Sequence, residues 1–263
     1  MLALVLPAAA GPASASGTSQ QRVLAKSFVA IDAADGRILA GKGERTRRPI
    51  ASLTKVMTAL LVIERGDLRQ RVTVAPLATR VEPYREGLVA GRRYTRDTLL
   101  WSALLASGND SATALAIDLG DGSLTRFYAL ANAKAHALGM ASTTYTSASG
   151  LDDVHNLSTA LDQAMLARVA LGNRTFASIV GTREHWTKWA APTMAKLWVN
   201  HNRMLATTPG TYGVKTGWTT RAGGCLIVAQ RRGDRAVIGV ILDSPSIWAD
   251  MTTLLGVAFN RLG

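Results

Sequence analysis

Residues 51–64 read ASLTKVMTALLVIE, with Pro49 shortly before them. Neither glycine nor proline interrupts the run, and Leu53, Val56, Met57, Leu60, Leu61 and Ile63 leave it apolar nearly all round. A helix of that kind has no face for water, so it belongs at the centre of a fold. The elements on either side must then cover it.

On the N-terminal side, Ser27–Asp32 alternates Phe28 and Ala30 with Val29 and Ile31, then passes Asp35-Gly36 into Arg37–Ala40. This predicts a hairpin with a tight turn. On the C-terminal side, helical spacing recurs over Arg96–Ala106, Ser111–Leu119, Leu124–Leu138 and Thr159–Leu171. Thr159 and Asp162 have capping-box spacing, with Asp in place of the usual Glu or Gln. The last third changes period. Gly213–Thr219, Gly224–Arg231 and Ala236–Asp243 read as strands, the last two joined across Arg232-Gly233-Asp234. Ser244-Pro245 opens a final helix with Ile247, Trp248, Met251, Leu254, Leu255 and Ala258 on one face. Two strands at the start and three at the end predict one antiparallel sheet of about five strands, closed by both ends of the chain. The fold class is α/β in the α+β sense, with helices on both sheet faces. A helical lobe at about residues 66–175 is inserted between the sheet halves.

The chain has 263 residues, 48 % of them hydrophobic and 18 % charged, which excludes a disordered, collagen-like or coiled-coil protein. It is long enough to bury a large core without staples. The single cysteine, Cys225, excludes an internal disulfide and a cysteine-rich metal cluster; on an interior strand it reads as a small buried hydrophobe. No apolar run reaches the roughly 18 residues of a membrane-spanning helix. Leu2–Ala10 is short and apolar, and Ala13-Ser14-Ala15 has the small-x-small form of a cleavage site. Residues 1–21 are therefore expected to be the remnant of an export signal and a linker, leaving 22–263 as one domain in the periplasm or extracytoplasmic envelope. The net charge of +12 fits either a solvated basic surface or attraction to a polyanion. Nucleic acid is disfavoured, because the basic residues are scattered in short pairs such as Arg47-Arg48 and Arg92-Arg93, without interleaved aromatics.

Three short motifs carry chemistry. In Ser52-Leu53-Thr54-Lys55, helical geometry puts Ser52 and Lys55 at i and i+3 on one face. A serine hydroxyl needs an adjacent base to become a nucleophile, and a lysine can be that base only when neutral. Lowering its pKa from about 10.4 to about 7 costs about 4 kcal/mol, which burial near another cation can supply. Ser107-Gly108-Asn109 falls in a break between helical segments, where Ser and Asn alone would be ordinary caps. Lys215-Thr216-Gly217 sits in a strand pattern ahead of Trp218 and Thr219. There Lys215 can hold a substrate carboxylate, and Gly217 removes a side chain that would block the approach of a substrate. Alone it could be an edge strand with a solvated lysine. Each motif occurs once, and they follow in the order S-x-x-K, S-x-N, K-T-G.

That trio, with Ser-Asp-Asn as the usual second member, marks β-lactamases and penicillin-binding proteins. From about Phe28 to Leu262 the chain resembles the D-alanyl-D-alanine carboxypeptidases, the low-molecular-mass penicillin-binding serine peptidases. The likeness is carried by Pro49–Lys55, Ser107–Asp110, Gly150-Leu151, Asn156–Ala160, Lys215–Thr219 and Ala222-Gly223. The resemblance implies a β-lactamase/transpeptidase-like fold with its cleft where lobe and sheet meet. It also implies catalytic roles: Ser52 attacks the carbonyl between two D-alanines, Lys55 takes its proton, Ser107 relays a proton to the leaving D-alanine, and Asn109 holds the acyl-side amide. Lys215 and Thr216 bind the terminal carboxylate within a binding strand that includes Gly217, Trp218 and Thr219. The backbone N–H groups of Ser52 and Trp218 form the oxyanion hole. No cofactor or metal is implied. The partners implied are a peptidoglycan stem peptide ending in D-Ala-D-Ala and β-lactam antibiotics.

Some features depart from the commonest pattern. Longer family members carry a further β-rich domain and an amphipathic anchor, which do not fit after Gly263. The short form, with Asn200-His201-Asn202-Arg203, is similar to members that cleave D-alanyl cross-links as endopeptidases, which is the alternative function. Trp218 stands where smaller aromatics are frequent. A class A β-lactamase would need Glu-x-x-Leu-Asn, which follows none of Glu44, Glu64, Glu82, Glu86 or Glu184. A nucleophile elbow, G-x-S-x-G, is missing. His136, His155, His185 and His201 lack metal-ligand spacing, and Asp152–His155 reads as a loop beside the site. A non-catalytic wall-binding module would have no use for a buried lysine beside a serine, and steady D-alanine release would exclude it.

Overall fold

The computed structural model describes residues 22–151, 153–189 and 195–263; the expected leader and linker lie outside them. The strands, in chain order, are β1 (Ser27–Asp32), β2 (Ile38–Lys42), β3 (Arg48–Pro49), β4 (Arg71–Thr73), β5 (Arg93–Thr95), β6 (Leu157–Ser158), β7 (Glu184–Lys188), β8 (Ala195–Val199), β9 (Thr211–Thr219), β10 (Gly223–Arg232) and β11 (Arg235–Ser244). Five of them form the main sheet in the order β2-β1-β11-β10-β9. Every neighbouring pair is antiparallel, with Val29 opposite Val240 and Ile227 opposite both Val240 and Lys215. The first and last strands of the chain therefore lie side by side, as the sequence predicts.

The period-2 alternation of these strands separates two cores. Val29, Ile31, Cys225, Ile227, Ala229, Ile238, Val240 and Leu242 face the larger one. Ala30, Leu226, Val228, Val237 and Ile241 face the other, where they meet Met251, Leu254, Leu255 and Ala258 of the last helix. Each fully buried Val, Leu or Ile contributes about 1.5–3 kcal/mol. The sheet is apolar on both faces and needs a cover on each.

The helices supply the covers. α1 (Lys55–Arg65) runs through the larger core with Val56, Met57, Ala59, Leu60 and Val62 buried. Packed on α1 are α2 (Arg96–Trp101), α3 (Asn109–Leu119) and α4 (Leu124–Ala137), directly or through one another. α5 (Ala160–Leu171) lies on β1 and β11, and α6 (Arg174–Gly181) lies on β9. Within the segment expected as the inserted lobe, α2–α4 therefore form a helical layer on α1, while α5 touches the sheet. After the short α7 (Met204–Thr207), α8 (Ile247–Leu262) covers the opposite face.

The capping box at α5 forms by half. Thr159 Oγ1 accepts from Asp162 N at 3.0 Å, but the Asp162 carboxylate turns to Ser142 N and Thr143 Oγ1. Asp is one methylene shorter than Glu and finds nearer partners. The β7–β8 hairpin and α6 have no counterpart in the sequence reading. The hairpin pairs Trp186 with Leu197 and His185 with Trp198, an aromatic-rich pattern without Gly or Asn to announce a turn.

Candidate active site

The helix read from residue 51 begins as a 3-10 turn over Ala51–Thr54 and becomes α-helical at Lys55. Side chains at i and i+3 nearly eclipse in 3-10 geometry, which lines Ser52 up with Lys55 along one edge of the turn. Ala51 holds a left-handed φ of 46°, an unfavourable conformation for a residue with a Cβ. The surroundings enforce it. Gly150, itself at φ 82°, lies where a Cβ would overlap the Ala51 carbonyl, and Thr54 Oγ1 accepts from Asn156 Nδ2 at 2.9 Å. Residues 148–150 brace this turn, with Ala148 O accepting from Thr58 Oγ1.

Lys55 is fully buried. Its Nζ lies 2.7 Å from each of Ser52 Oγ, Asn109 Oδ1 and Ser149 O. Burial holds its pKa well below the ordinary lysine value, and the nearby Lys215 lowers it further against a smaller opposing pull from Asp110. A neutral amine has two N–H groups and one lone pair. Asn109 Oδ1 and Ser149 O can only accept, so they take the two hydrogens. The lone pair is left facing Ser52 Oγ, the one partner with a proton to give. The same three contacts hold the ammonium form once that proton has moved.

α2 runs on as a π-helical turn over Ser102–Ala106, and Ser107 ends it at φ 60°. Gly108 then turns the chain into α3, whose first residue is Asn109. The Asn109 amide is fixed in direction because Nδ2 donates to Pro83 O, which leaves Oδ1 for Lys55. Ser107, expected in a loop, occupies this sharp break with its hydroxyl turned to the sheet.

β9 brings the third motif. Lys215 is buried, and its Nζ lies 3.0 Å from Ser107 Oγ and 2.9 Å from Thr216 O. Burial lowers its pKa to about 7. Gly217 is buried with no room for a side chain, but the obstacle differs from the expected one. A Cβ there would sit 2.9 Å from Ser52 N, so the glycine admits the protein's own Ser52 turn rather than a substrate.

Two cavities meet at Ser52. One, about 350 Å³, is lined by Asn109, Glu82, Tyr84, Leu151, Trp218 and Thr219 among others. The other, about 330 Å³, is lined by Ser107, Thr216, His201, Tyr84, Trp218 and Trp248 among others. Trp218 is 62 % exposed and stands between them. The second cavity is bordered by Ser107 and Thr216, and the Ser107 hydroxyl is in turn bonded by Lys215 Nζ. The first offers the Asn109 side to an acyl chain.

All nine residues expected from the sequence, Ser52, Lys55, Ser107, Asn109, Lys215, Thr216, Gly217, Trp218 and Thr219, gather at this cleft. Unforeseen are Ser149, whose carbonyl holds Lys55, Tyr84 on the rim, and His201 in the second cavity. A backbone carbonyl leaves no sequence signal, and a lone tyrosine in a loop has none either. Burial first, and Lys215 second, lower the His201 pKa below the ordinary histidine value. Cys225 is a buried hydrophobe, as read, its thiol pushed up to about 12 by burial.

Residues 14–246 match the family profile described as D-alanyl-D-alanine carboxypeptidase. A D-alanyl-D-alanine carboxypeptidase of Mycobacterium tuberculosis is 35 % identical over 246 residues, covering 90 % of this chain and 83 % of its own. A D-alanyl-D-alanine endopeptidase of Escherichia coli is 30 % identical and covers 90 % of this chain and 77 % of its own. The crystal structure of the Streptomyces K15 DD-transpeptidase superposes with a TM-score of 0.86 at 31 % identity, over 92 % of this chain and all of that one.

Proposed function

This chain belongs to the D-alanyl-D-alanine carboxypeptidase family, and on that premise we propose that it is a serine-type D-Ala-D-Ala carboxypeptidase acting on peptidoglycan stem peptides through an acyl-enzyme on Ser52. The observation that carries the reading is the 2.7 Å approach of Lys55 Nζ to Ser52 Oγ inside a buried site. Residues 22–263 act as one peptidase domain. Peptidoglycan lies outside the cytoplasmic membrane, which places the enzyme's work there.

Ser52 Oγ attacks the carbonyl carbon of the penultimate D-alanine while its proton passes to Lys55 Nζ. Negative charge moves to the carbonyl oxygen, which the N–H groups of Ser52 and Trp218 receive; each such donor is worth about 3–4 kcal/mol. The C–N bond then breaks. The leaving D-alanine nitrogen takes up the proton that Lys55 held, by way of the Ser107 hydroxyl. Lys215 and Thr216 hold the terminal carboxylate throughout, and Asn109 holds the acyl-side amide. Water, deprotonated by Lys55, hydrolyses the ester and restores Ser52. A β-lactam presents a strained amide and a carboxylate to the same groups, so it acylates Ser52 and is released slowly.

A second reading, cleavage of D-alanyl cross-links, is supported by the likeness to a D-alanyl-D-alanine endopeptidase and by the volume of the cavity beside Ser107 and Thr216. Its volume of about 330 Å³ is that of a site for a drug-sized ligand rather than one alanine. Incubation with a pentapeptide and with a cross-linked muropeptide, followed by product identification, tests both. D-Alanine release by the native enzyme and none by Ser52→Ala is the expected result. Release by Ser52→Ala, or none from either substrate, would refute the reading.

A further inference from the structure

Between the cleft and the β7–β8 hairpin lies Glu86, a residue outside the three motifs. Its carboxylate, 13 % exposed, accepts from Trp198 Nε1 at 2.6 Å and pairs with Lys196 Nζ at 2.6 Å. Its backbone oxygen accepts from Trp189 Nε1 at 2.8 Å. Two of the donors lie on β8, and the third, Trp189, directly follows β7. The hairpin is itself seated on the helical layer, where His185 stacks on Trp101 at 3.9 Å and Trp189 packs on Tyr94 at 5.0 Å. These contacts seat the two strands to which Glu86 is fastened.

From Glu86 the connection runs to the catalytic centre. The N–H groups of Glu86, Gly87 and Leu88 all donate to the buried Asp110 carboxylate. Two and three residues earlier, Tyr84 O accepts from Asn109 N and Pro83 O accepts from Asn109 Nδ2. Asn109 Oδ1 accepts from Lys55 Nζ. Gly108 closes against this loop so tightly that a Cβ would lie 2.8 Å from Glu86 Cγ. The direction of the Asn109 amide thus depends on the position of residues 83–88, which is set by Asp110 on one side and the hairpin on the other.

We propose that Glu86 is a positioning residue: by tying the Pro83–Leu88 loop to the β7–β8 hairpin, it holds Tyr84 at the cleft rim and keeps Asn109 Oδ1 turned toward Lys55. This rests on the acyl-enzyme reading above. When the tie is cut, the loop is free to shift, Asn109 no longer presents its oxygen, and the ammonium form of Lys55 loses one acceptor. The other charged or titratable groups near Lys55 are Lys215 on β9, His201 ahead of α7 and Asp110 on α3, the last itself held by the N–H groups of this loop.

The test is the pH dependence of the second-order rate of Ser52 acylation by benzylpenicillin, for Glu86→Ala, Glu86→Gln, Trp198→Phe and the exposed hairpin control Trp186→Ala. Glu86→Ala is expected to slow acylation by about tenfold to a hundredfold, the scale of a misplaced catalytic group, and to move the acid limb to lower pH. Glu86→Gln keeps an acceptor for Trp198 and should restore rate and limb, although it removes the charge. Trp198→Phe removes that donor together with part of a buried ring packed on Trp189, and should move the limb the same way; it carries the test alone if Glu86→Ala does not fold. Trp186→Ala should match the native enzyme. An acid limb that stays in place in both Glu86→Ala and Trp198→Phe would overturn the proposal. So would a Glu86→Gln limb displaced as far as that of Glu86→Ala, since charge alone would then account for it. Failure of the native enzyme to form any Ser52 adduct would instead overturn the acyl-enzyme reading itself.

Discussion

Gly217 on β9 lies directly against the turn that holds Ser52: a side-chain carbon placed on it would sit 2.9 Å from Ser52 N and 3.1 Å from Ala51 Cβ. The strand that carries Lys215 and the turn that carries the nucleophile meet here with no room for a side chain on β9. The distance between serine and strand-borne cation is thereby set by the lack of one methyl group.

Gly217→Ala should therefore leave a folded protein with a displaced β9. The expected loss in acylation rate is about a hundredfold, the effect of shifting reacting groups by about 1 Å. Stopped-flow acylation by a chromogenic β-lactam measures it, and a native rate would show that β9 does not set the geometry. Gly150→Ala should do more damage, since it combines overlap with the Ala51 carbonyl and a φ of 82°; loss of soluble protein or a clear drop in Tm is expected.

The base must be neutral to act, so the rate rises with pH through the Lys55 pKa. Burial and Lys215 hold that pKa well below 10.5. With a substrate whose terminal carboxylate is amidated, kcat/KM should therefore reach its plateau well before the ordinary lysine range. A rise confined to the region near pH 10 would remove Lys55 as the base.

Lys215 acts in the opposite sense, because it binds a carboxylate only as a cation. Its pKa of about 7 predicts that kcat/KM for peptides with a free terminal carboxylate falls above that pH, and that the fall is missing for the amidated substrate. Lys215→Met should depress the first reaction more than the second. Equal losses on both would contradict a carboxylate contact.

The same lysine costs stability. Between pH 7 and pH 10.5 the unfolded chain binds a proton on Lys215 that the native state does not, so native stability rises with pH in this window. The depression of about 3.5 pH units corresponds to an upper bound of about 5 kcal/mol at pH 7. Urea unfolding should find Lys215→Met more stable than the native protein at neutral pH, with the gap closing toward pH 10. A gap independent of pH would contradict a buried, largely neutral lysine.

Cys225 supplies a control on the core. Its thiol is fully buried and pushed up to about 12, so a thiol reagent should leave it untouched in the folded protein and label one equivalent after denaturation. Prompt labelling under native conditions would place β10 nearer the surface than described.

Much of this architecture was legible from the order of residues. The apolar run of 51–64 is central because it has no polar face to give to water, and α1 is buried accordingly. Strands at both chain ends pair because each is apolar on both sides and needs covering on both. Other parts left no trace. The sequence between β7 and β8 has neither Gly nor Asn to announce a tight turn, and the hairpin packs on Trp101 and Tyr94, residues far away in the chain. Ser149 reaches Lys55 through a carbonyl, which every residue possesses.

The sequence by itself determined the chemical groups and their local setting: a serine and a lysine one turn apart at the head of a helix, a serine and an asparagine at a helix break, and a lysine on a strand. Such features depend on short-range periodicity and residue type. Only the tertiary structure decided that Ser107 and Lys215, 108 positions apart, stand 3.0 Å from each other, and that Lys55 has two acceptors besides Ser52. Those distances come from packing of remote segments and from glycines too close to their neighbours to bear a side chain, and periodicity carries no record of either.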